Sequence, residues 1–144
     1  MTLHKPADID AIAQDFAVLD DWEDRIQHTI ELGRALPALE EADRVDANKV
    51  SGCASQVWLA ARKVEGPEGE VLELRGDSDA LIVRGLVALA LAFYSGRAPA
   101  AIMAADAMEF FKRLGLADHL TQQRANGLRS LIRRIRAEAA AAQA

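Results

Sequence analysis

The sequence predicts an α+β protein in which a small antiparallel sheet is packed by helices. Three observations carry this reading. Helical periodicity dominates both ends of the chain, strand-like alternation is confined to residues 55–75, and a glycine-bounded turn separates the two alternating runs. At 144 residues the chain suits one domain over 1–144 with a sizeable core, about 137–144 being a tail expected to fray. Aromatic residues make up 5% of the chain and hydrophobic residues 51%, so the core is expected to be aliphatic and alanine-rich.

Taken in order, the first helix is expected to open at Pro6, with Asp8 and Asp10 near its positive end and Ile9, Ile12, Ala13 and Phe16 at helical spacing. A second follows Asp20-Asp21, with Trp22, Ile26, Ile30 and Gly33 on one face, and stops before Pro37. Residues 38–54 lose that periodicity. Ser55–Glu65 alternates as a strand, Gly66-Pro67-Glu68-Gly69 turns, and Val71–Arg75 returns with Leu72 and Leu74 on one side. A third short strand is expected near Arg44–Val50. Asp77-Ser78-Asp79 offers cap chemistry for a helix over Ala80–Tyr94 that is apolar almost all round, with Arg84 its only charge. That arginine must be paired or lie at the rim, because an unpaired buried guanidinium is too costly. Ser95-Gly96 ends this helix and Pro99 starts a shorter one. Another short turn carries Phe110, Phe111 and Leu114. Thr121 caps the last helix, whose core stripe is Leu128, Leu131, Ile132 and Ile135, with Arg129, Arg133, Arg134 and Arg136 on its outer flanks. Trp58 and the Phe110/Phe111 pair are read as core rather than as a partner groove.

Composition removes several function classes. The net charge of −5 argues against a dedicated nucleic-acid binder. The most apolar run, Gly85–Tyr94, is half the ~20 residues of a membrane span, and no export signal is visible at the N-terminus. A soluble, cytoplasmic protein is expected. One cysteine excludes an intrachain disulfide framework, and with His4, His28 and His119 scattered along the chain it excludes the common multi-cysteine zinc patterns. The charge is unevenly spread: −8 over residues 1–46, −1 over 47–120 and +4 over 121–144. These are solvated helix faces on the plain reading, or surfaces that steer a charged partner.

Cys53 is the residue with chemistry to offer. It lies in the small-residue run Ser51-Gly52-Cys53-Ala54-Ser55, just before a strand, where glycine permits a tight or mobile turn and no bulky neighbour shields the sulfur. From this pattern alone an inert cysteine and a reactive one are both open. A cysteine hydrolase needs a histidine base and an orienting partner, and His119 next to a helix cap reads as a surface residue. Persulfide exchange asks less: a thiolate, a good leaving thiolate and access.

The segment Asn48-Lys49-Val50-Ser51-Gly52-Cys53-Ala54-Ser55-Gln56-Val57-Trp58 resembles the signature of the SufE family, sulfur acceptors for cysteine desulfurases in iron–sulfur cluster assembly. The likeness continues in Gly76-Asp77-Ser78-Asp79-Ala80 with Ile82-Val83-Arg84-Gly85-Leu86, and in Leu120-Thr121, Arg124, Gly127-Leu128 and Ile135-Arg136-Ala137. It runs from about Phe16 to Ala137, departing at the Gly66–Gly69 turn and in the alanine-rich tail. The resemblance implies a fold shared with IscU-type scaffolds, although those hold a nascent cluster through several cysteines and this chain has one. It implies that Cys53 accepts the outer sulfur of a desulfurase persulfide, stimulates that enzyme and passes sulfur to an iron–sulfur scaffold complex. The chain then acts as an accessory sulfur-transfer protein and not as a stand-alone enzyme, and needs no cofactor of its own, the pyridoxal phosphate belonging to the desulfurase. Ser51 and Gly52 are the loop residues, and Asp79 and Arg124 are implied supports of that loop. Each support has a plainer reading. Asp79 suits a helix start, and Arg124 suits a plain internal salt bridge, although it opposes the helix dipole and Gly127 weakens the same helix, which points to tight packing there or to a contact that repays both costs. The alternatives are an allosteric adaptor of the desulfurase with Cys53 incidental and, third, a separate thiol enzyme. A Cys53 loop that moves on a fixed strand is expected, so that Gly52→Val should cut transfer more than stability.

Overall fold

In the computed structural model residues 6–143 are described. The chain runs α1 (Ile9–Ala17), α2 (Trp22–Ala35), β1 (Val57–Gly66), β2 (Gly69–Ser78), α3 (Leu81–Tyr94), α4 (Pro99–Ala104), α5 (Ala107–Arg113) and α6 (Gln122–Gln143). The class is α+β, with β1 and β2 forming a two-stranded antiparallel sheet.

The hairpin is longer than its hydrophobic alternation. Pairing runs from Gly66↔Gly69 at the turn to Val57↔Ser78 at the open end, so β2 continues three residues past Arg75. Gly69 has φ +126°, which closes the turn without the penalty a side chain would meet. Opposed residues share a face, so Val57, Leu59, Leu72 and Leu74 all point into the core. The other face carries Trp58, which is covered by the Arg44 guanidinium 5.0 Å from its ring. Trp58, Phe110 and Phe111 are all core residues, as the pattern predicts.

The expected third strand near Arg44–Val50 does not form. That stretch makes two single 3-10 turns, Glu41–Asp43 and Asp46–Asn48, and its backbone pairs with the sheet at a single isolated bridge among the described residues, Lys49↔Trp58. Side-chain bonds take the place of a ladder there: Asn48 Nδ2 donates to Asp43 O at 2.9 Å, and Arg134 of α6 donates to the carbonyls of Ala47 and Lys49.

Helix α3 lies at the centre, packed against α2, β2, α5 and α6. Its approach to α2 is set by glycine. A Cβ on Gly85 would stand 2.1 Å from Thr29 O, and one on Gly33 would stand 2.6 Å from Gly85 N. Backbone therefore lies on backbone at this crossing, and Thr29 satisfies its buried hydroxyl on Arg25 O at 2.8 Å. Gly85→Ala should force the two helices apart and lower unfolding free energy by about 3 kcal/mol, with a fall in Tm on the order of 10 °C. Thermal denaturation followed by circular dichroism checks this; an unchanged Tm would mean that the crossing relaxes freely.

Besides the strands, of which β1 begins at Val57 and not at Ser55, three helix boundaries differ from the sequence reading. The first helix starts at Ile9 and not at Pro6, because the Asp8 carboxylate caps it by accepting from the amides of Asp10 and Ala11. Helix α3 has Ala80 at its N-cap with no side-chain cap, since Asp77 and Ser78 belong to β2 and Asp79 turns back to Gln56. The tail does not fray from residue 137: α6 continues to Gln143 and Ala139 is fully buried. Alanine methyls are small enough to let α4 approach α6 closely, and Arg136 donates to Met103 O at 2.7 Å across that contact. Trp22 also departs from its expected role. It is 47% exposed and stacks on His119 instead of entering the core.

Arg84 is paired, as its place on an apolar helix requires. Its Nη2 donates to Leu36 O at 2.6 Å and its Nε lies 3.3 Å from the carboxylate of Asp77. Asp77, 1% exposed, also pairs with Arg44 and accepts from the Ser78 amide at 2.8 Å. This buried carboxylate ties the 40s segment, β2 and α3 into one unit.

Candidate functional site

Residues 51–56 form a loop whose two feet are fixed. Val50 N donates to Val57 O at 2.8 Å, closing the base. On the entry side Arg134 of α6 donates to Ala47 O at 2.7 Å and to Lys49 O at 3.1 Å, its Nε held by Glu138. On the exit side Asp79 accepts from Gln56 N at 3.0 Å, and Asp79 N returns a bond to Gln56 O. Asp79 therefore supports the loop, one residue before the strand begins.

Between these feet the loop rests on α6. Gly52 has φ +90° and lies so close to α6 that a Cβ there would be 2.5 Å from Ser130 Oγ. Cys53, half-buried, points its thiol at the Gly127 carbonyl, with Sγ 3.5 Å from the oxygen. Gly127 faces Cys53 directly, and a Cβ on it would make ordinary contact with Sγ at 3.6 Å. The missing side chain thus opens the floor under the sulfur.

Cys53 also borders a cavity of ≈ 270 Å³ between the loop, the first turns of α3 and the first turns of α6. Its walls are mainly apolar: Val57, Ile82, Val83, Leu86, Leu128 and Leu131. Arg124 lines the same cavity from α6 and is exposed, with no side-chain hydrogen bond or ion pair among the described residues. Its amide is capped by Thr121 Oγ1 at 3.2 Å, as expected of Thr121. The structure thus brings together Cys53 and Arg124. Ser51 and Asp79 lie outside the cavity lining, and Gly52 acts through its seat on Ser130. His119 stacks on Trp22 and does not line the cavity, so the described residues place no histidine base there.

Burial pushes the Cys53 thiol above its ordinary pKa, with no cation counteracting it in this arrangement. At neutral pH the sulfur is held as the neutral thiol. The folded state's preference for the protonated form adds stability below the ordinary thiol pKa, lost as pH rises through the raised value. Alkylation by iodoacetamide is accordingly expected to be slower at pH 7.5 than for a free cysteine peptide, its pH profile displaced to higher pH. A profile at or below that of the peptide would show that Arg124 already stabilises the thiolate.

The Gly52 geometry adds to one expectation. A valine at Gly52 carries a stability cost of its own, because both φ and the Ser130 contact oppose any side chain there. Gly52→Ala should unseat the loop from α6, cost about 1–2 kcal/mol and make Cys53 alkylate faster, as read by mass spectrometry of the trapped thiol. A slower reaction would overturn this seat. Arg134, one of the outer-flank arginines in the helical pattern, clamps the loop, and Ser130, which the pattern leaves without a role, seats it. Neither has a local signal, since each is defined by a loop about 80 residues away.

Fold and site together define a class: an α+β protein bearing one cysteine on a small-residue loop over an apolar cavity. The family model of the SufE Fe-S metabolism associated domain matches residues 10–139, and the chain belongs to that family. It is 55% identical over 133 residues to an uncharacterized SufE-like protein of Rhizobium etli, covering 92% of this chain and 90% of that one. A second uncharacterized SufE-like protein, from Rhizobium meliloti, is 53% identical over 131 residues, covering 91% and 94%. The solution structure of a hypothetical protein from Thermus thermophilus superposes with a TM-score of 0.74 at 22% identity, covering 97% of this chain and 98% of that one, and shares the fold. No helix among the described residues is long and apolar enough to cross a membrane.

Proposed function

We propose that this protein accepts sulfur from a cysteine desulfurase onto Cys53, thereby stimulating that enzyme, and passes it on to an iron–sulfur scaffold complex. The observation that supports this reading is the placement of Cys53: half-buried, in contact with the Gly127 carbonyl of α6 and bordering an apolar cavity. In the transfer step the Cys53 thiol, once the loop presents it to solvent, gives up its proton to water or buffer, and the resulting thiolate attacks the outer sulfur of the donor's persulfide. A new S–S bond forms on Cys53, the donor's S–S bond breaks, and the donor leaves as a thiolate. One persulfide replaces another, so no external oxidant or reductant is needed. Pyridoxal phosphate and the release of sulfur from free cysteine belong to the donor.

The seat on α6 serves such a carrier. A thiol held neutral and half-covered resists oxidation between encounters, and the small residues around it let the loop present the sulfur to a partner. The test is incubation with a desulfurase and free cysteine, followed by intact mass. An added mass of about 32 Da, removable by a reducing thiol and mapped to Cys53, supports transfer. Stimulation of the desulfurase with no added mass would support the adaptor role instead. A cytoplasmic setting fits a chain with one free thiol and is part of this proposal.

A further inference from the structure

The exposed arginines divide into two groups. Arg34, Arg62, Arg75 and Arg113 each sit on a carboxylate, those of Glu31, Glu73, Glu40 and Asp10 among them. Arg124, Arg129, Arg133 and Arg136 sit on no carboxylate among the described residues, and all four belong to α6. Arg129 donates to Asn126 Oδ1 at 3.3 Å, Arg133 to Ser130 Oγ at 3.2 Å and Arg136 to Met103 O at 2.7 Å, all neutral acceptors. Arg129, Arg133 and Arg136 follow one another at i, i+4 and i+7, so they share one face of the helix. That face is adjacent to the cysteine loop, because Arg133 bonds the same Ser130 hydroxyl on which Gly52 rests.

Uncompensated guanidinium groups beside a reactive loop have a physical consequence. They repel one another and gain most when an external carboxylate surface arrives, so they favour an acidic partner and orient it over Cys53. Nucleic acid and anionic membrane supply the same sign of charge, but the chain carries −5 overall and −8 within its first 46 residues, which opposes a long polyanion or a charged plane. A protein surface with a local acidic rim meets only the basic face.

We infer that the Arg129–Arg133–Arg136 face of α6 is the docking surface for an acidic rim around the persulfide-bearing cysteine of the sulfur donor. This rests on the sulfur-acceptor reading and adds the chemistry of the partner and the side from which it approaches. Arg124 is kept apart, because it lines the cavity and belongs to the site itself.

The experiment compares the wild type, an Arg129→Glu/Arg136→Glu variant, which leaves the Arg133–Ser130 contact beside the loop in place, and a Lys63→Glu/Lys112→Glu variant carrying the same total charge change elsewhere. Binding to each of the organism's own cysteine desulfurases in turn is titrated at low and high salt, and Cys53 loading is read by mass at saturating protein. Equal Tm values establish that the variants are folded. The expected result is a rise of about tenfold or more in the half-saturating concentration for the α6 variant at low salt, shrinking to about twofold at 0.5 M NaCl, where the Debye length falls to a few ångströms. The lysine variant should stay near wild type, and loading at saturation should be preserved. Equal effects in the two variants, or a loss that persists at high salt, would overturn the docking surface. Weakened binding by the α6 variant together with no sulfur on wild-type Cys53 would sustain the surface and overturn the acceptor reading. No binding of the wild type to any of the desulfurases would overturn both.

Discussion

Cys53→Ser will remove all added sulfur from the protein while leaving it folded. The hydroxyl of serine stays un-ionised at neutral pH, and its oxygen forms no persulfide, so the nucleophile of the transfer step is lost outright. The structural change is slight. Cys53 is half-buried in a loop, and its one polar contact among the described residues is a long one, 3.5 Å to Gly127 O, which a hydroxyl can replace. Stability should move by less than about 1 kcal/mol. Intact mass after incubation with desulfurase and cysteine reads the first effect, and a urea titration reads the second. If the serine variant stimulated the desulfurase as fully as wild type, the activity would lie in docking alone and the adaptor role would replace the carrier role.

The largest effect on stability is expected from Asp77→Ala. Asp77 is 1% exposed, and its carboxylate faces two guanidinium groups, Arg44 and Arg84, besides the amide of Ser78. Removing it leaves two partly buried cations without their anion and costs about 3–5 kcal/mol. The loss should exceed that of any single arginine removed from α6, and it should be read as a lower urea midpoint with an unchanged slope. Adding Arg84→Met to the same chain should recover part of it, because one of the stranded charges is then gone. A double variant no better than Asp77→Ala would mean that Arg84 is satisfied by Leu36 O alone. Since Asp77 is followed by Ser78 and by Asp79, which holds Gln56, loosening it should also raise the alkylation rate of Cys53.

Much of the site was legible because its signals are local. The small-residue run around Cys53 reads as an exposed turn, and it is a loop between two fixed feet. Arg124 and Gly127 look misplaced for a helix start; Arg124 lines the cavity that Cys53 borders, and Gly127 lies beneath the sulfur. Asp77-Ser78-Asp79 misled for the opposite reason. The string is good cap chemistry, but its three side chains are used by a buried ion pair, by Ala80 N and by Gln56, partners that lie elsewhere in the fold or require the strand to extend. The tail misled because an alanine run shows no apolar stripe, although alanine is what allows α4 to pack closely on α6.

By itself the sequence determined the α+β class, the order of helices and hairpin, the pairing that Arg84 requires and the one thiol available for chemistry. Each of these follows from periodicity, turn residues or the cost of burying a charge, which are properties of neighbouring residues. Only the tertiary structure decided what surrounds the thiol. The Gly127 carbonyl, the Ser130 seat, the Arg134 clamp and the apolar wall from α3 reach Cys53 from residues about 30 to 80 positions away. Their approach depends on how closely helices cross, and at Gly33–Gly85 and at Gly52–Ser130 that distance is set by the absence of a side chain. A missing Cβ has no hydrophobic pattern of its own, so its meaning exists only once the opposing backbone is in place.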